Sequence, residues 1–440
     1  METQGNGVVG SSTEVRSHGE GVTMVIGSSA CTRERLIGQG QRPGRLSHTC
    51  PERRPGLTWG WRDKVWYRPT MREDLVKLDR CQRLVEHMRA QNLDAVALVP
   101  GPNLVYLTGL SFHLSERPIV TLFPADGRPA IILPQLEAVR VVGEEMDLFA
   151  YSDEEGPRTA FRNAFDALDL RGARIGAESL RMRLMEVQLL DQHADGSELV
   201  SAGDVLVELR LRKDGNELDH MRSAAAITDE ALATTMGRVK GAMSEREIAS
   251  LLQIELLRAG ADGMAFSPIV LTGPNSALPH NTPSDRRIRL GDPFIVDCGA
   301  SVEGYAADLT RTFFVEEPSA EWSRIYEVVR AANAAGRAAV RSGVTAESID
   351  RAARDVIDRA GYGEYFIHRT GHGLGLETHE PPYMIAGNRR LLEPGMVFTV
   401  EPGIYLPGQG GVRIEDDILV TAEGPEVLTN SSRDLTTIRL

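Results

Sequence analysis

The sequence predicts a two-domain chain of the α+β class, a smaller α/β domain followed by a larger one whose sheet is largely antiparallel. Three observations carry this reading. The chain has 440 residues, enough for two ordinary domains that each bury a core. Short apolar runs across residues 71–200 give way, through Val205–Lys213, to long helical periodicities. In the second half helices come first and strands are interleaved with hairpin-like returns.

Residues 1–70 stand apart from everything that follows. They hold ten Lys or Arg against six Asp or Glu, are dominated by Gly, Ser and Arg, and keep no hydrophobic period. Trp59, Trp61 and Trp66 cluster at the end of the stretch. The apolar run Gly21–Gly27 is too short for a signal-peptide core, and the acids argue against a transit peptide. We read this segment as a disordered tail or a mis-assigned start, with Met71 as a candidate first residue, and exclude it from the fold.

From Met71 to about Gln91, Leu75, Leu78, Cys81, Leu84, Val85 and Met88 recur at helical spacing. Asp94–Pro100 reads as a strand entering a core. Ile119–Phe123 and Pro129–Leu133 flank Asp126-Gly127, a hairpin signal. Ala173–Ala177 is a further strand, and a polar helix-like stretch follows from Arg181. Residues 71–203 make the first domain, with no catalytic constellation visible in it. In the second, residues 204–440, helices are expected at about 216–240, 245–259, 320–341 and 346–361. Strands are expected at Phe294–Asp297, Thr310–Val315, Val397–Val400 and Val412–Val420. A plan of helix pair plus strand pair recurs faintly, suggesting a two-fold duplication.

Composition narrows the function. A formal net charge of −13 argues against a general nucleic-acid binder. No apolar run approaches membrane-spanning length, so no membrane partner is expected. Cys31, Cys50, Cys81 and Cys298 are scattered and lack CxxC spacing. Neither a disulfide framework nor a thiolate zinc site is expected, and a reducing cytoplasm is the simple location. GxGxxG opening a βαβ unit, GxxxxGK[ST], GxSxG and HExxH are all missing.

What remains is a set of acids and histidines on strands. Asp297 closes the apolar run Ile295-Val-Asp-Cys-Gly-Ala300, and Asp308 lies eleven residues on. A tight return near Gly304 would set both carboxylates on neighbouring strands, with Ala300, Ala306 and Ala307 leaving room beside them. Buried together, two acids repel unless a cation lies between them. Glu401 ends Met396-Val-Phe-Thr-Val400 just before Pro402-Gly403. Glu415 lies inside Gly411–Val420, where alternation puts Arg413, Glu415 and Asp417 on one face. His372 sits among three glycines that let backbone approach a ligand, His379 follows, and His280 ends the turn-rich Thr272–Pro279. Read singly, each has a duller explanation as a cap, a solvated face or an ordinary histidine; His87, His193, His220 and His368 are read that way. Together, four carboxylates and one imidazole suit two divalent cations, with Mn²⁺, Co²⁺ or Fe²⁺ favoured over a thiolate-type zinc site. A water between such ions loses its proton near neutral pH and becomes a nucleophile.

These motifs, in this order, resemble the pita-bread metallopeptidases: methionine aminopeptidase, prolidase and aminopeptidase P. The resemblance covers about residues 205–435 and rests on Gly273–His280, the Asp297/Asp308 pair, Gly371-His-Gly373, His379, Glu401-Pro-Gly403 and Arg413-Ile-Glu415. Residues 71–200 resemble the creatinase/prolidase N-terminal domain. The resemblance implies a curved pita-bread sheet, with Asp297 on one metal, Asp308 and Glu415 bridging both, and His372 and Glu401 completing the other. It further implies that His280 contacts substrate, that His379 donates to the developing oxyanion, that Glu401 relays a proton and that Arg413 orients carboxylates. An N-terminal domain points away from methionine aminopeptidase. The expected activity is cleavage of the Xaa-Pro bond at the N-terminus of small peptides with proline second. Prolidase, or a hydrolase of another small amide, is the alternative. The family implies a homodimer. A metal-free binding module would be expected to lack one of the five ligands, and none is missing here.

Overall fold

Six short strands, apolar at the centre and alternating at the margins, build a mixed sheet in the first part of the chain. The computed structural model describes residues 77–141, 145–241 and 243–439; the expectations for residues 1–70 and for Met71 lie outside them. Helix α1 (Leu78–Ala90) leads into β1 (Ala95–Leu98) and α2 (Pro102–Thr108). Strands β2 (Val120–Pro124) and β3 (Ala130–Pro134) form the hairpin that Asp126-Gly127 predicts. Then come β4 (Asp147–Tyr151), α3 (Arg158–Ala167), β5 (Arg174–Ala177), α4 (Leu184–His193) and β6 (Glu198–Ser201). The order is β4-β3-β2-β1-β5-β6, so the two strands with partly exposed burial patterns are the edges. Those edges, and the seven-residue α2 that opens on proline, are elements the sequence reading missed; each is too short or too polar to stand out.

Helix α5 (Gly203–Arg210) closes the first core with Val205, Leu206 and Leu209 and leads into the second part. There α6 (Gly215–Met236) is started by Asp214 and Glu217, and α7 (Glu245–Arg258) by Ser244 and Glu247, each pair a reciprocal capping box. They are followed by β7 (Gly263–Met264), β8 (Ile269–Thr272), β9 (Pro293–Cys298), β10 (Ala300–Val302), β11 (Tyr305–Ala306) and β12 (Leu309–Val315). The second helix pair is α8 (Ala320–Ala339) and α9 (Ala346–Arg359). The chain ends with β13 (Gly371–Gly373), β14 (Glu380–Met384), β15 (Val397–Val400), β16 (Gly403–Leu406), β17 (Gly410–Arg413), β18 (Asp416–Val420), β19 (Pro425–Val427) and β20 (Thr436–Ile438). The element order thus repeats a helix pair followed by strands, as the faint duplication suggests. Among the described residues no helix is long and apolar enough to cross a membrane.

The main sheets run β20-β12-β9-β8 and β14-β13-β15-β18-β19, and every pair within them is antiparallel except β12–β20. Helices α6 and α7 pack with Phe294, Val296 and Val270, while α8 and α9 cover Phe314, Phe398 and Val400. Two expectations need correction. Val412–Val420 is not one strand: β17 pairs with β16 and β18 with β15, and the chain changes partners at Ile414-Glu415. Side-chain alternation continues through such a change, so periodicity does not register it. Ala300, Ala306 and Ala307 do not make room beside the carboxylates; they let α6 pack close, alongside Met221, Ala224 and Ala225.

Gly299, directly after β9, is a point where backbones crowd closely. A Cβ there would lie 1.8 Å from the carbonyl oxygen of Ala307. Gly299→Ala is expected to cost at least about 1–3 kcal/mol, because backbone has to move. A thermal melt of the variant beside the unmodified protein checks this, and an unchanged midpoint contradicts it.

Candidate metal centre

Strand ends bring the predicted residues together. The register of β9 on β12 sets Asp297 opposite Thr310, two positions past Asp308. The link between them turns at Glu303 and Gly304, with φ of 49° and 82°, so the expected tight return is present. His372 is the middle residue of β13, Glu401 follows β15, and Glu415 occupies the break between β17 and β18. Its amide donates to the carbonyl of Thr310 at 3.1 Å, which fixes the break against β12.

The glycines around His372 serve the sheet. A Cβ on Gly371 would lie 1.8 Å from the carbonyl oxygen of Thr399, and one on Gly373 would lie 2.2 Å from that of Pro381. They permit close strand packing, where the sequence reading expected approach to a ligand. His372 Nδ1 lies 3.2 Å from the carbonyl oxygen of Gly373, an acceptor, which assigns the ring proton to Nδ1. Nε2 then turns its lone pair toward Glu401 Oε1 at 3.5 Å and Asp308 Oδ2 at 3.8 Å. A lone pair facing carboxylate oxygens is repulsive unless an electrophile lies between them.

Further features fit a cation. Ligand atoms of Asp308, His372 and Glu415 all lie within 4.8 Å of one another. Oδ1 of Asp297 and Oδ1 of Asp308 are buried without a hydrogen-bond partner. Arg413 forms an ion pair with these acids, its Nη2 donating to Asp297 Oδ2 at 2.5 Å. Its Nε donates to Thr310 Oγ1 at 3.0 Å, and that hydroxyl donates to Glu415 Oε2 at 2.6 Å. Burial, and then the neighbouring carboxylates, hold Asp308 and Glu415 well above the usual carboxylate range. Glu401 is pushed up to about 7, chiefly by burial, with Arg413 opposing and Asp297 adding to the rise. Burial pushes His372 down, keeping it neutral as a ligand must be.

The centre forms the floor of a cavity of about 970 Å³. His280 and His379 open into it, and the His379 ring stands edge-on to His372 with centroids 4.0 Å apart. Three contributions escaped the sequence reading. His368, read as an ordinary histidine, lines the cavity; Nδ1 donates to the carbonyl of Arg369 at 2.7 Å and Nε2 accepts from Tyr405 Oη at 2.9 Å. Tyr405 Oη in turn accepts from Arg413 at 3.0 Å. Arg369, also in the wall, rests on the Tyr383 ring at 4.3 Å and has no ion-pair partner among the described residues. Pro102 and Arg181 bring the first part of the chain to the cavity, although no catalytic role was legible there. Arg369 and His368 flank the Gly-His-Gly motif, the one signal that could have marked them.

Comparisons with known proteins identify the family. Residues 219–422 match the model of metallopeptidase family M24, and residues 80–212 match the creatinase/prolidase N-terminal domain. A putative dipeptidase of Bacillus subtilis is 35% identical over 81% of this chain and 99% of its own length. The crystal structure of a recombinant prolidase from Thermococcus sibiricus superposes with a TM-score of 0.79 at 37% identity, covering 83% of this chain and all of that one. An Xaa-Pro dipeptidase from Bacillus anthracis gives a TM-score of 0.75 at 33% identity, with 82% and 99% covered. The chain belongs to metallopeptidase family M24, and the curved pita-bread fold with a creatinase-like N-terminal domain is the one expected. It is a metallopeptidase.

The raised acids bear on metal loading. In the metal-free protein they hold protons that a cation must displace, so the cation competes better as pH rises. The gain in melting temperature on adding Mn²⁺ to stripped protein is expected to be larger at about pH 8 than at about pH 5. Melts with Mn²⁺ and with EDTA across that range test this; a gain independent of pH contradicts it.

Proposed function

We propose that the protein is a two-metal Xaa-Pro dipeptidase, with Asp297, Asp308, His372, Glu401 and Glu415 as ligands and Asp308 and Glu415 as the bridges. The observation that carries the metal assignment is the convergence of these side chains around unpartnered carboxylate oxygens. A bound pair of divalent cations would supply Lewis acidity and activate water for attack on the amide. The donor set, oxygen apart from one imidazole, suits Mn²⁺. The same reading includes a homodimer, a cytoplasmic location and a domain boundary near residue 204.

The chain's own groups divide the remaining work. Arg413 holds Asp297 in place, and through Thr310 it holds Glu415. Glu401, with its raised carboxyl, carries a proton toward the leaving proline nitrogen. His379, kept neutral chiefly by burial and then by Arg369, presents an N–H to the developing oxyanion. His280, which also lines the cavity, contacts the substrate beside the scissile bond.

The sequence reading ranked an aminopeptidase above a dipeptidase. Two observations favour reversing that order. The dipeptidase and prolidase relatives described above match at 33–37% identity over their full length, somewhat above the 30% of an X-Pro aminopeptidase. Arg369 offers the cavity an uncompensated guanidinium, which suits the free C-terminal carboxylate of a dipeptide. The aminopeptidase stays as second reading because about 970 Å³ also accommodates a tripeptide.

Metal-loaded protein is expected to cleave Leu-Pro much faster than Leu-Pro-Pro and to leave Leu-Ala intact; faster cleavage of the tripeptide selects the aminopeptidase. Asp308→Ala and Glu415→Ala should each abolish activity and reduce metal content, and full activity in either sinks the bridging assignment. Arg369→Gln should raise KM for Leu-Pro roughly ten- to hundredfold, the scale of a charged hydrogen bond, while changing KM for Leu-Pro-Pro little.

A further inference from the structure

The strand-to-strand link Leu374–His379 carries a charge system that the reaction scheme leaves unused. His379 lies between two acids held by a chain of cations: Glu380 is buried, while Glu377 and its partner Arg181, at the outer end of that chain, also line the cavity. Arg210, at the end of α5, donates through Nη2 to Glu377 Oε2 at 2.5 Å and to Glu380 Oε2 at 2.9 Å. Lys213 Nζ donates to the other oxygen of Glu380 at 2.7 Å. Arg181 donates to Glu377 Oε1 at 2.8 Å from the far side. The middle of this chain is dry: side-chain exposure is 9% for Arg210, 4% for Glu380 and 1% for Lys213. Its outer end, Arg181 with Glu377, is about one-third exposed.

The geometry is that of a clamp. Residues 377 and 380 are fixed on cations from a different part of the chain, so the two residues between them have little freedom. Thr378 is tied by its hydroxyl to the carbonyl of Ala265 at 3.2 Å. The remaining side chain, His379, then points into the cavity against His372. The cations come from the stretch matched by the creatinase/prolidase domain and its border, while the acids lie within the metallopeptidase match. A guanidinium can span two carboxylates where an ammonium meets one, which explains why arginine holds the central place.

We propose that Arg210 is a positioning residue for His379: by clamping Glu377 and Glu380 it sets the angle at which the imidazole N–H meets the oxyanion. This rests on the oxyanion role given to His379 above. A small misplacement of such a donor costs as much as much of the donor's own effect. The first part of the chain therefore takes part in the chemistry as well as in shaping the cavity.

The test uses the full-length, metal-loaded enzyme, with metal content measured for every variant. Arg210→Met and Arg210→Lys are expected to lower kcat for Leu-Pro about ten- to hundredfold with KM within about twofold and metal content unchanged. Affinity for a phosphinate analogue of Leu-Pro, which mimics the oxyanion, should fall in step with kcat. In a His379→Ala background the Arg210 changes should lower kcat no further. Where Arg210→Met fails to fold, Glu377→Gln at the more exposed end of the clamp carries the same cycle. An Arg210 or Glu377 effect that multiplies with that of His379→Ala, or an unchanged kcat, overturns the positioning role alone. A His379→Ala enzyme with full kcat overturns the oxyanion reading and this proposal together.

Discussion

Four carboxylates, Asp297, Asp308, Glu401 and Glu415, are buried around one imidazole, and Arg413 is the cation in direct contact with them. Desolvating this much like charge opposes folding unless a countercharge is bound or protons are taken up. The rest of the catalytic part can be read as the means of imposing that arrangement. Rigid sheet backbones hold the acids where flexible loops would let them part. Gly299, Gly371 and Gly373 allow strands to approach until carbonyl oxygens lie where a Cβ would be. Thr310 and Thr399 spend their hydroxyls on ligand side chains and their backbone.

Three histidines that line the cavity, His368, His372 and His379, are kept neutral chiefly by burial, while Arg181 and Arg369 bring positive charge to its wall. His368 is pushed down to about 3, with Arg413 adding to the effect of burial. It therefore accepts from Tyr405, whose oxygen is then oriented to accept from Arg413. This chain of donors and acceptors has one self-consistent proton arrangement, so the guanidinium that holds Asp297 is itself held. Electrostatics of the floor and hydrogen bonding of the wall are thus one construction.

The first part of the chain contributes in a different manner. Its sheet and helices have separate cores, yet Pro102 and Arg181 reach the cavity, and Arg210 reaches the segment that presents His379. Ion pairs of this kind add little net stability when they replace apolar contacts, but they define one geometry where hydrophobic packing would admit several. Further pairs, Arg80 with Asp214 and Arg390 with Glu208, join the same two stretches at residues that do not line the cavity, so the pairs at Glu377 and Glu380 are set apart by their nearness to His379.

Much of this was legible in the chain. The helix starts at Asp214, Ser244 and Ser319 follow from local capping chemistry, and β9, β12 and β15 follow from apolar runs that exclude other conformations. The five candidate ligands stand out because their motifs occur together and in the order that the pita-bread metallopeptidases keep, although each residue read singly has a duller explanation. Other features were not legible. The change of sheet partner at Ile414-Glu415 leaves alternation intact. His368 and Arg369 differ from other surface-capable residues only by what faces them. Arg181, Arg210 and Lys213 lie about 160 to 200 residues from their acidic partners. Local propensity and the short motifs that carry the candidate ligands are properties of a few neighbouring residues, so the sequence by itself determined them. Which cations stand behind which acids, and which histidine faces the cavity, depend on contacts distant in the chain, and only the tertiary structure decided them.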